Sequence, residues 1–173
     1  MSKKEAPSVN RKDEIVSAAI ETFAEIGYYR ATTAQVAERA NISQPYIFKF
    51  FPTKEALLAA ALEVSWERII ASFRRVVETA QPEQLESELI EAYERILADR
   101  SNEMLLQMQA QTIPSDVIRE EMRKGFRNVR NIVLDAFRHA SIPHPEERTL
   151  LFLARGMLCN ISMALDMPEL MGK

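Results

Sequence analysis

A few side chains around position 45 carry groups that bind nucleic-acid bases and phosphates. The amide of Gln44 can pair with adenine N6 and N7, and the ammonium group of Lys49 can reach guanine or the phosphate backbone. Pro45 and Tyr46 offer apolar surface to a thymine methyl group, and the Tyr46 hydroxyl can reach a base or a phosphate. The alternative is that Gln44 and Lys49 are ordinary solvated side chains and that Tyr46 only covers the core.

The surrounding sequence predicts two short helices joined by a tight turn. Thr32 and Thr33 are good N-cap residues for the first helix, and Asn41 tolerates the left-handed conformation that would end it. Ser43 is the expected cap of the second helix, and Pro45 falls in its first turn, where a missing N–H costs nothing. Small apolar residues recur at helical spacing in the first helix: Val36, Ala37 and Ala40. The pattern indicates a DNA-reading helix-turn-helix.

Residues 11–62, about a third of the chain, resemble the DNA-binding domain of the TetR family of bacterial transcriptional regulators. An ordered series of short motifs at matching spacing carries the resemblance, which makes it more specific than an isolated helix-turn-helix pattern. The series consists of residues 15–19, Phe23, Gly27, Tyr28, Thr32, Thr33, Val36, Ala37, Ile42, Ser43, Phe51 and residues 53–58.

The resemblance implies which side chains touch DNA. The expected contacts are Thr32, Thr33, Ser43, Gln44, Pro45, Tyr46, Lys49, Phe50 and Lys54. Ile47 and Phe51 match family positions that face the three-helix core. Pro45 stands where the family most often has glycine, although some members also carry Gln-Pro. Phe48 and Phe50 stand where it often has tyrosine or histidine, so hydrogen bonds to phosphate from these positions are lost.

Composition favours an all-α protein and gives little support to an enzyme. Apolar residues make up 47% of the 173, only 4 are glycine, and the net charge is −3. A single cysteine, Cys159, excludes an internal disulfide framework and a cysteine-rich zinc site. The two histidines, His139 and His144, flank a loop, and no glycine-rich phosphate loop is present. We expect no catalysis, no cofactor and no metal.

The chain carries no N-terminal signal pattern, and its longest uncharged stretch, residues 156–165, is too short to span a bilayer. We therefore expect a cytoplasmic protein without a membrane segment. Lys3 and Lys4, in a polar N-terminal arm, could help the arm to meet phosphates, or the arm could simply be solvated.

The expected architecture is an N-terminal three-helix domain followed by a helical ligand-binding and dimerisation domain. We divide the chain into residues 1–58 and 59–173, although the boundary falls inside one long helix. Periodicity and capping residues predict helices over residues 10–26, 53–79, 83–99, 104–111, 115–139 and 146–167, besides the two short ones.

The family resemblance implies a ligand chamber in the second domain. Ten residues are candidates for its wall: Trp66, Ile70, Phe73, Tyr93, Met104, Gln107, Met108, Gln111, Met122 and Phe126. Gln107 and Gln111 are the stronger candidates, because they lie one turn apart on an apolar helix and an unpaired buried amide is costly. The alternative for each residue is ordinary core packing.

The resemblance also implies a homodimer that uses the last two helices. The expected contact residues are small or apolar: Leu153, Ala154, Gly156, Met157, Leu158, Ile161, Ala164 and Leu165. A two-fold dimer would bind a near-palindromic operator in double-stranded DNA. The predicted function is a transcriptional regulator, a repressor released by a small apolar or amphipathic effector. The alternative is an interaction module that has lost specific DNA binding, which the phenylalanines at positions 48 and 50 would explain.

Overall fold

A computed structural model describes residues 8–172, with side chains from Arg11 onward; Lys3 and Lys4 lie outside this range. The described residues form helices joined by short loops and contain no β-strand. The helices are α1 (Ser8–Ile26), α2 (Thr33–Arg39), α3 (Gln44–Ile47), α4 (Lys54–Thr79), α5 (Leu85–Asp99), α6 (Ser101–Ala110), α7 (Asp116–His139) and α8 (Pro145–Leu165), followed by a 3₁₀ turn (Pro168–Met171). The all-α prediction is confirmed.

The N-terminal domain consists of α1, α2, α3 and the start of α4. Its helix ends follow the predicted local signals: Gly27 (φ 86°) ends α1 and Asn41 (φ 52°) follows α2, both in the left-handed region. Helix α3 ends at Ile47, and residues 48–50 form a turn, so Lys49 lies just beyond the helix. Ser43 occupies the N-cap position of α3 but makes no capping hydrogen bond with its side chain. The domain core is formed by fully buried residues: Ile15, Phe23, Val36, Ile47, Leu57 and Leu58.

The long helix α4 joins the N-terminal domain to the helices that follow. It packs against α1, α5, α6 and α7. Trp66 of α4 packs directly on Gly125 of α7, where an added Cβ atom would lie 2.2 Å from Cδ2 of Trp66. Only glycine leaves room for the indole ring at this crossing.

The short helix α6 connects the two parts of the chain a second time. It lies against α1, α4 and α8. Gln109 of α6 donates a hydrogen bond of 2.9 Å to the carbonyl oxygen of Ala24 in α1. Glu103, which is buried, forms ion pairs with Arg68 of α4 and with Arg100, the latter at 3.3 Å. Helix α6 therefore contacts the N-terminal domain directly, through α1.

Several helix ends differ from the sequence expectation. α6 begins at Ser101, three residues earlier than expected, because Arg100 alone leaves helical geometry after α5 (φ −141°, ψ 43°). α5 starts at Leu85, and α8 stops at Leu165, where Asp166 takes a left-handed conformation (φ 52°). The Ser162 hydroxyl then donates to the Met167 carbonyl oxygen at 2.8 Å and fixes the chain as it enters the 3₁₀ turn.

Candidate DNA-binding surface and effector cavity

The start of α2 is fixed by a reciprocal capping box. Thr32 Oγ1 accepts a hydrogen bond of 3.2 Å from the Gln35 backbone N–H, and the Thr32 backbone N–H donates to Gln35 Oε1 at 2.9 Å. The box satisfies two backbone donors that would otherwise lack partners at a helix start. The exposed Thr32 side chain thus has a structural role at the place where a phosphate contact is expected.

Helix α3 presents a polar face to solvent while one residue anchors it to the core. Ser43, Gln44 and Pro45 are exposed, and Ile47 is completely buried. Phe51, just beyond α3, is only 4% exposed. The prediction that Ile47 and Phe51 face the core is confirmed, and their burial fixes which side of α3 a DNA groove could meet.

Gln44 is held in place by a residue of α2. Its Nε2 donates a hydrogen bond of 2.8 Å to Oγ1 of Thr33, whose side chain is buried. This bond uses one N–H of the amide and leaves the second N–H and the Oε1 oxygen for a base edge. Thr33, expected to contact DNA, therefore lies beneath Gln44 and acts by orienting it.

An aromatic cluster borders the exposed face of α3. Tyr46 and Phe50 are half-buried, with ring centroids 5.4 Å apart in an edge-to-face arrangement. Lys49 is exposed, and its Nζ lies 5.0 Å from the centroid of the Tyr46 ring. Phe48 is 46% exposed and offers no hydrogen-bonding group. Tyr46 and Lys49 therefore form one pair able to meet a base edge or a phosphate.

Lys54 makes contacts within the protein that the sequence did not predict. Its Nζ donates hydrogen bonds to the carbonyl oxygens of Tyr28, at 2.8 Å, and Ala31, at 3.0 Å, and lies 4.5 Å from the Tyr28 ring centroid. Burial is the largest cause that raises the pKa of Tyr28, and the charges of Glu55 and Tyr29 add smaller effects in the same direction. Lys54 thus fastens the loop between α1 and α2 to α4. Its contact with phosphate stays a prediction, with the N–H groups of the first turn of α4 as additional donors.

A narrow cavity lies between α4, α5, α6, α7 and α8. The space open to a water-sized molecule is about 50 Å³, so a ligand of ordinary size would have to push its walls apart. Six of the ten predicted residues line it: Trp66, Phe73, Tyr93, Gln107, Gln111 and Phe126. The sequence therefore located the cavity on α4 to α7 and identified its two glutamines.

The other four predicted residues do not line this cavity. Met104 is fully buried beneath Tyr93, whose hydroxyl lies 3.7 Å from the Met104 sulfur. Met122 is buried in the core, and Met108 is half-buried away from the cavity. Ile70 lines a separate groove on the outer side of α4 and α7. Helical spacing placed these residues on apolar faces without showing which neighbour would cover them.

Helix α8 contributes to the cavity wall, which the sequence did not predict. Seven residues of α8 line it: Phe152, Leu153, Arg155, Gly156, Met157, Cys159 and Asn160. Leu153, Gly156 and Met157, which the family resemblance places on the dimer surface, are among them. Asn160 was the available signal, because an amide in the middle of an apolar helix needs a polar partner.

Two hydrogen bonds organise the polar groups of the cavity. The Tyr93 hydroxyl donates to Oδ1 of Asn160 at 2.8 Å. Burial raises the pKa of Tyr93 to about 12, although the hydrogen bond to Asn160 by itself lowers it. Gln107 Nε2 donates to Oγ of Ser65 at 2.9 Å. The described residues contain no group of three or more histidine, cysteine, aspartate or glutamate side chains that could hold a metal ion.

The outer face of α8 is apolar and exposed. Leu151, Leu158 and Leu165 recur every seven residues and are 59%, 39% and 61% exposed, and Ile161 adds a further 38% exposed side chain. Within residues 8–172, α8 is also the one helix long and apolar enough to cross a membrane by length and composition, which is weak evidence on its own. A stripe with this seven-residue spacing suits a seam between two helices.

The chain thus combines an N-terminal helix-turn-helix with a helical domain that encloses a cavity, and the long helix α4 joins the two. Residues 15–61 match the family model described as bacterial regulatory proteins, tetR family, and the N-terminal domain belongs to that family. RutR of Escherichia coli strain K12, an HTH-type transcriptional regulator, is 40% identical over 52 residues, which are 30% of this chain and 24% of RutR. HbdR of Aromatoleum sp. strain CIB is 38% identical over 53 residues, 31% of this chain and 23% of HbdR. The matches thus span about a quarter of these relatives' length.

Solved structures share the fold over nearly the whole chain. A TetR transcription regulator from Haloarcula marismortui superposes with a TM-score of 0.82 at 21% identity, covering 95% of this chain and 92% of its own. FadR from Bacillus subtilis, in complex with stearoyl-CoA, superposes with a TM-score of 0.77 at 16% identity, covering 89% and 88%. At these identities the likeness establishes the fold of the second domain and does not identify its ligand.

Proposed function

We propose that this chain is a homodimeric, sequence-specific DNA-binding regulator of transcription that acts in the bacterial cytoplasm, as a repressor released by a small apolar or amphipathic ligand. The observation that carries the proposal is the geometry of α3. Its core side is anchored by the buried Ile47, while Gln44 is oriented by Thr33 and stays exposed. This arrangement presents a fixed hydrogen-bonding face to the major groove.

The exposed stripe on α8 supports the homodimer. Two copies packed through Leu158 and its neighbours would bury apolar side chains that are exposed in the single chain. Two-fold symmetry would set two copies of α3 about 34–36 Å apart, one turn of DNA, and would require a near-palindromic operator.

Helix α6 supports a link between ligand and DNA. Gln107 and Gln111 line the cavity, and Gln109, between them in sequence, is bonded to Ala24 of α1. A ligand that widens the narrow cavity would displace α6 and, through it, the N-terminal domain. If it binds better to a dimer whose recognition helices have the wrong separation, it must lower DNA affinity, by about 1–3 kcal/mol for a typical coupling.

The experiment measures DNA affinity of three variants by fluorescence anisotropy, using DNA from the region upstream of the gene. Lys49→Ala should weaken binding, because an exposed cation at the DNA face is lost, and should reduce its salt dependence. Gln44→Ala should narrow the difference in affinity between the native fragment and fragments with single base changes. Lys124→Ala, an exposed lysine of α7, is the matched control and should bind like wild type.

Unchanged affinity and base preference in both the Lys49 and Gln44 variants would remove α3 as the reading element. Equal, weak binding of wild type to native and scrambled fragments would favour an interaction module without specific DNA binding. The exposed Phe48, which lacks a group to anchor phosphate, is the feature that favours this second candidate.

A further inference from the structure

The side chain of Trp66 lines the cavity and has a buried hydrogen-bond donor without a partner. The residue is 6% exposed, and its Nε1 makes no hydrogen bond within the part of the chain that the structure describes. An indole N–H can only donate, and a buried donor without an acceptor is costly. Buried polar groups in folded proteins nearly always have a partner, so an exception on a cavity wall indicates a contact still to be made.

Close packing holds the indole ring in its present position. One side of the ring lies on Gly125, where an added Cβ atom would come within 2.2 Å of Cδ2. The ring of Phe126 packs edge-to-face against it, with centroids 4.9 Å apart. Nε1 also lies at this contact, 2.4 Å from the added Cβ atom, and has almost no accessible surface, so a ligand meets the donor only after it has widened the cavity between α4 and α7.

The rest of the wall favours an uncharged partner for this donor. Apolar side chains dominate, among them Ile69, Phe73 and Val129. Arg155 is the one charged residue in the described wall, and its Nη2 already lies 3.3 Å from a carboxylate oxygen of Glu94. Transfer of an anion into this environment without a free cation to pair with it would be unfavourable.

We propose that the effector is a neutral, mainly apolar molecule with a carbonyl-type oxygen that accepts a hydrogen bond from Nε1 of Trp66. This rests on the effector cavity of the proposed function and makes Trp66 its specificity-determining residue. A pure hydrocarbon that widened the cavity would leave the uncovered N–H without an acceptor, whereas a carbonyl oxygen would supply one, so the site should prefer the oxygen.

Two small molecules of matched shape test the proposal. Acetophenone and isopropylbenzene differ in that the first carries a carbonyl oxygen where the second carries a methyl group. Trp66 is the one tryptophan of the chain, so a protein labelled with ¹⁵N gives a single indole N–H resonance. Acetophenone should move its proton resonance downfield, as a new hydrogen bond does, and isopropylbenzene should not.

Calorimetric titration of variants gives an independent measure. Trp66→Phe keeps an aromatic ring and removes the donor, so it should weaken acetophenone binding roughly tenfold and change isopropylbenzene binding much less. Phe152→Leu alters another part of the wall, on α8, and keeps the donor and the Phe126 ring against it, so it should affect the two molecules alike. The proposal is overturned if Trp66→Phe also affects both alike, if acetophenone leaves the indole resonance in place, or if neither molecule binds wild type.

The wild-type resonance decides the matter even if Trp66→Phe fails to fold. Binding to DNA, measured without either molecule, separates this inference from the proposed function. If the protein binds DNA normally but does not prefer acetophenone to isopropylbenzene, only the role of Trp66 is refuted. If it prefers acetophenone but does not bind DNA specifically, the proposed function as a regulator is refuted.

Discussion

Replacing Leu158 with glutamate tests the proposed dimer face of α8. Complete burial of a leucine contributes about 1.5–3 kcal/mol, and Leu158 is 39% exposed in the single chain. Covering the exposed part is therefore worth about 1 kcal/mol in each protomer. Two-fold symmetry doubles this loss and places two carboxylates close together in an apolar seam, at an added cost of about 1 kcal/mol or more each.

The expected total is about 4 kcal/mol, which is roughly a thousandfold weaker dimer. Sedimentation over a concentration series measures it: wild type should have twice the 19.8 kDa mass of the chain, and Leu158→Glu should have the mass of one chain. Val77→Glu is the matched control, because Val77 on α4 is 37% exposed and lies outside the stripe. An intact Leu158→Glu dimer, or equal dissociation of the control, would refute the assignment of this face.

Three further predictions concern the interior. The raised pKa of Tyr93 means that, as the pH rises, the unfolded chain releases the hydroxyl proton before the folded chain does. The free energy of unfolding should therefore fall by about 2–3 kcal/mol between pH 10 and about 12. Urea titrations of wild type and of Tyr93→Phe measure this, and the fall should be smaller in the variant. Glu103→Ala should cost about 1–3 kcal/mol in unfolding free energy, because Glu103 is buried with two arginines, whereas Arg95→Ala at an exposed pair should cost under about 0.5 kcal/mol. Gly125→Ala should lower the thermal midpoint despite alanine's better helix propensity, since the indole ring must shift; a raised midpoint would contradict this.

Local signals account for what the sequence predicted in the N-terminal domain. A threonine cap at Thr32, a glycine at Gly27 and an asparagine at Asn41 each act within one helical turn, so their effects do not depend on the rest of the fold. The bond from Gln44 to Thr33 joins residues eleven positions apart on different helices. Its existence depends on the angle between α2 and α3, which periodicity does not give.

Part of the cavity wall could also be predicted from local signals. Helical spacing identified apolar faces on α4 to α7, and the cost of burying amides singled out Gln107 and Gln111. Helical spacing could not show that Met104, one turn from Gln107, lies outside the cavity wall. Tyr93 covers the Met104 sulfur, and this contact depends on how α5 packs against α6. The same spacing assigned α8 a single face, although that helix lines the cavity on one side and is exposed on the other.

The most direct test of the central claim is anisotropy of the purified protein with DNA from its own upstream region and with scrambled DNA of the same composition, at two salt concentrations. The proposed regulator should bind the native fragment much more tightly, with an affinity that falls steeply as salt rises. Lys49→Ala should reduce that affinity and the salt dependence together. Equal affinity for both fragments, unchanged in Lys49→Ala, would contradict the claim that α3 reads DNA.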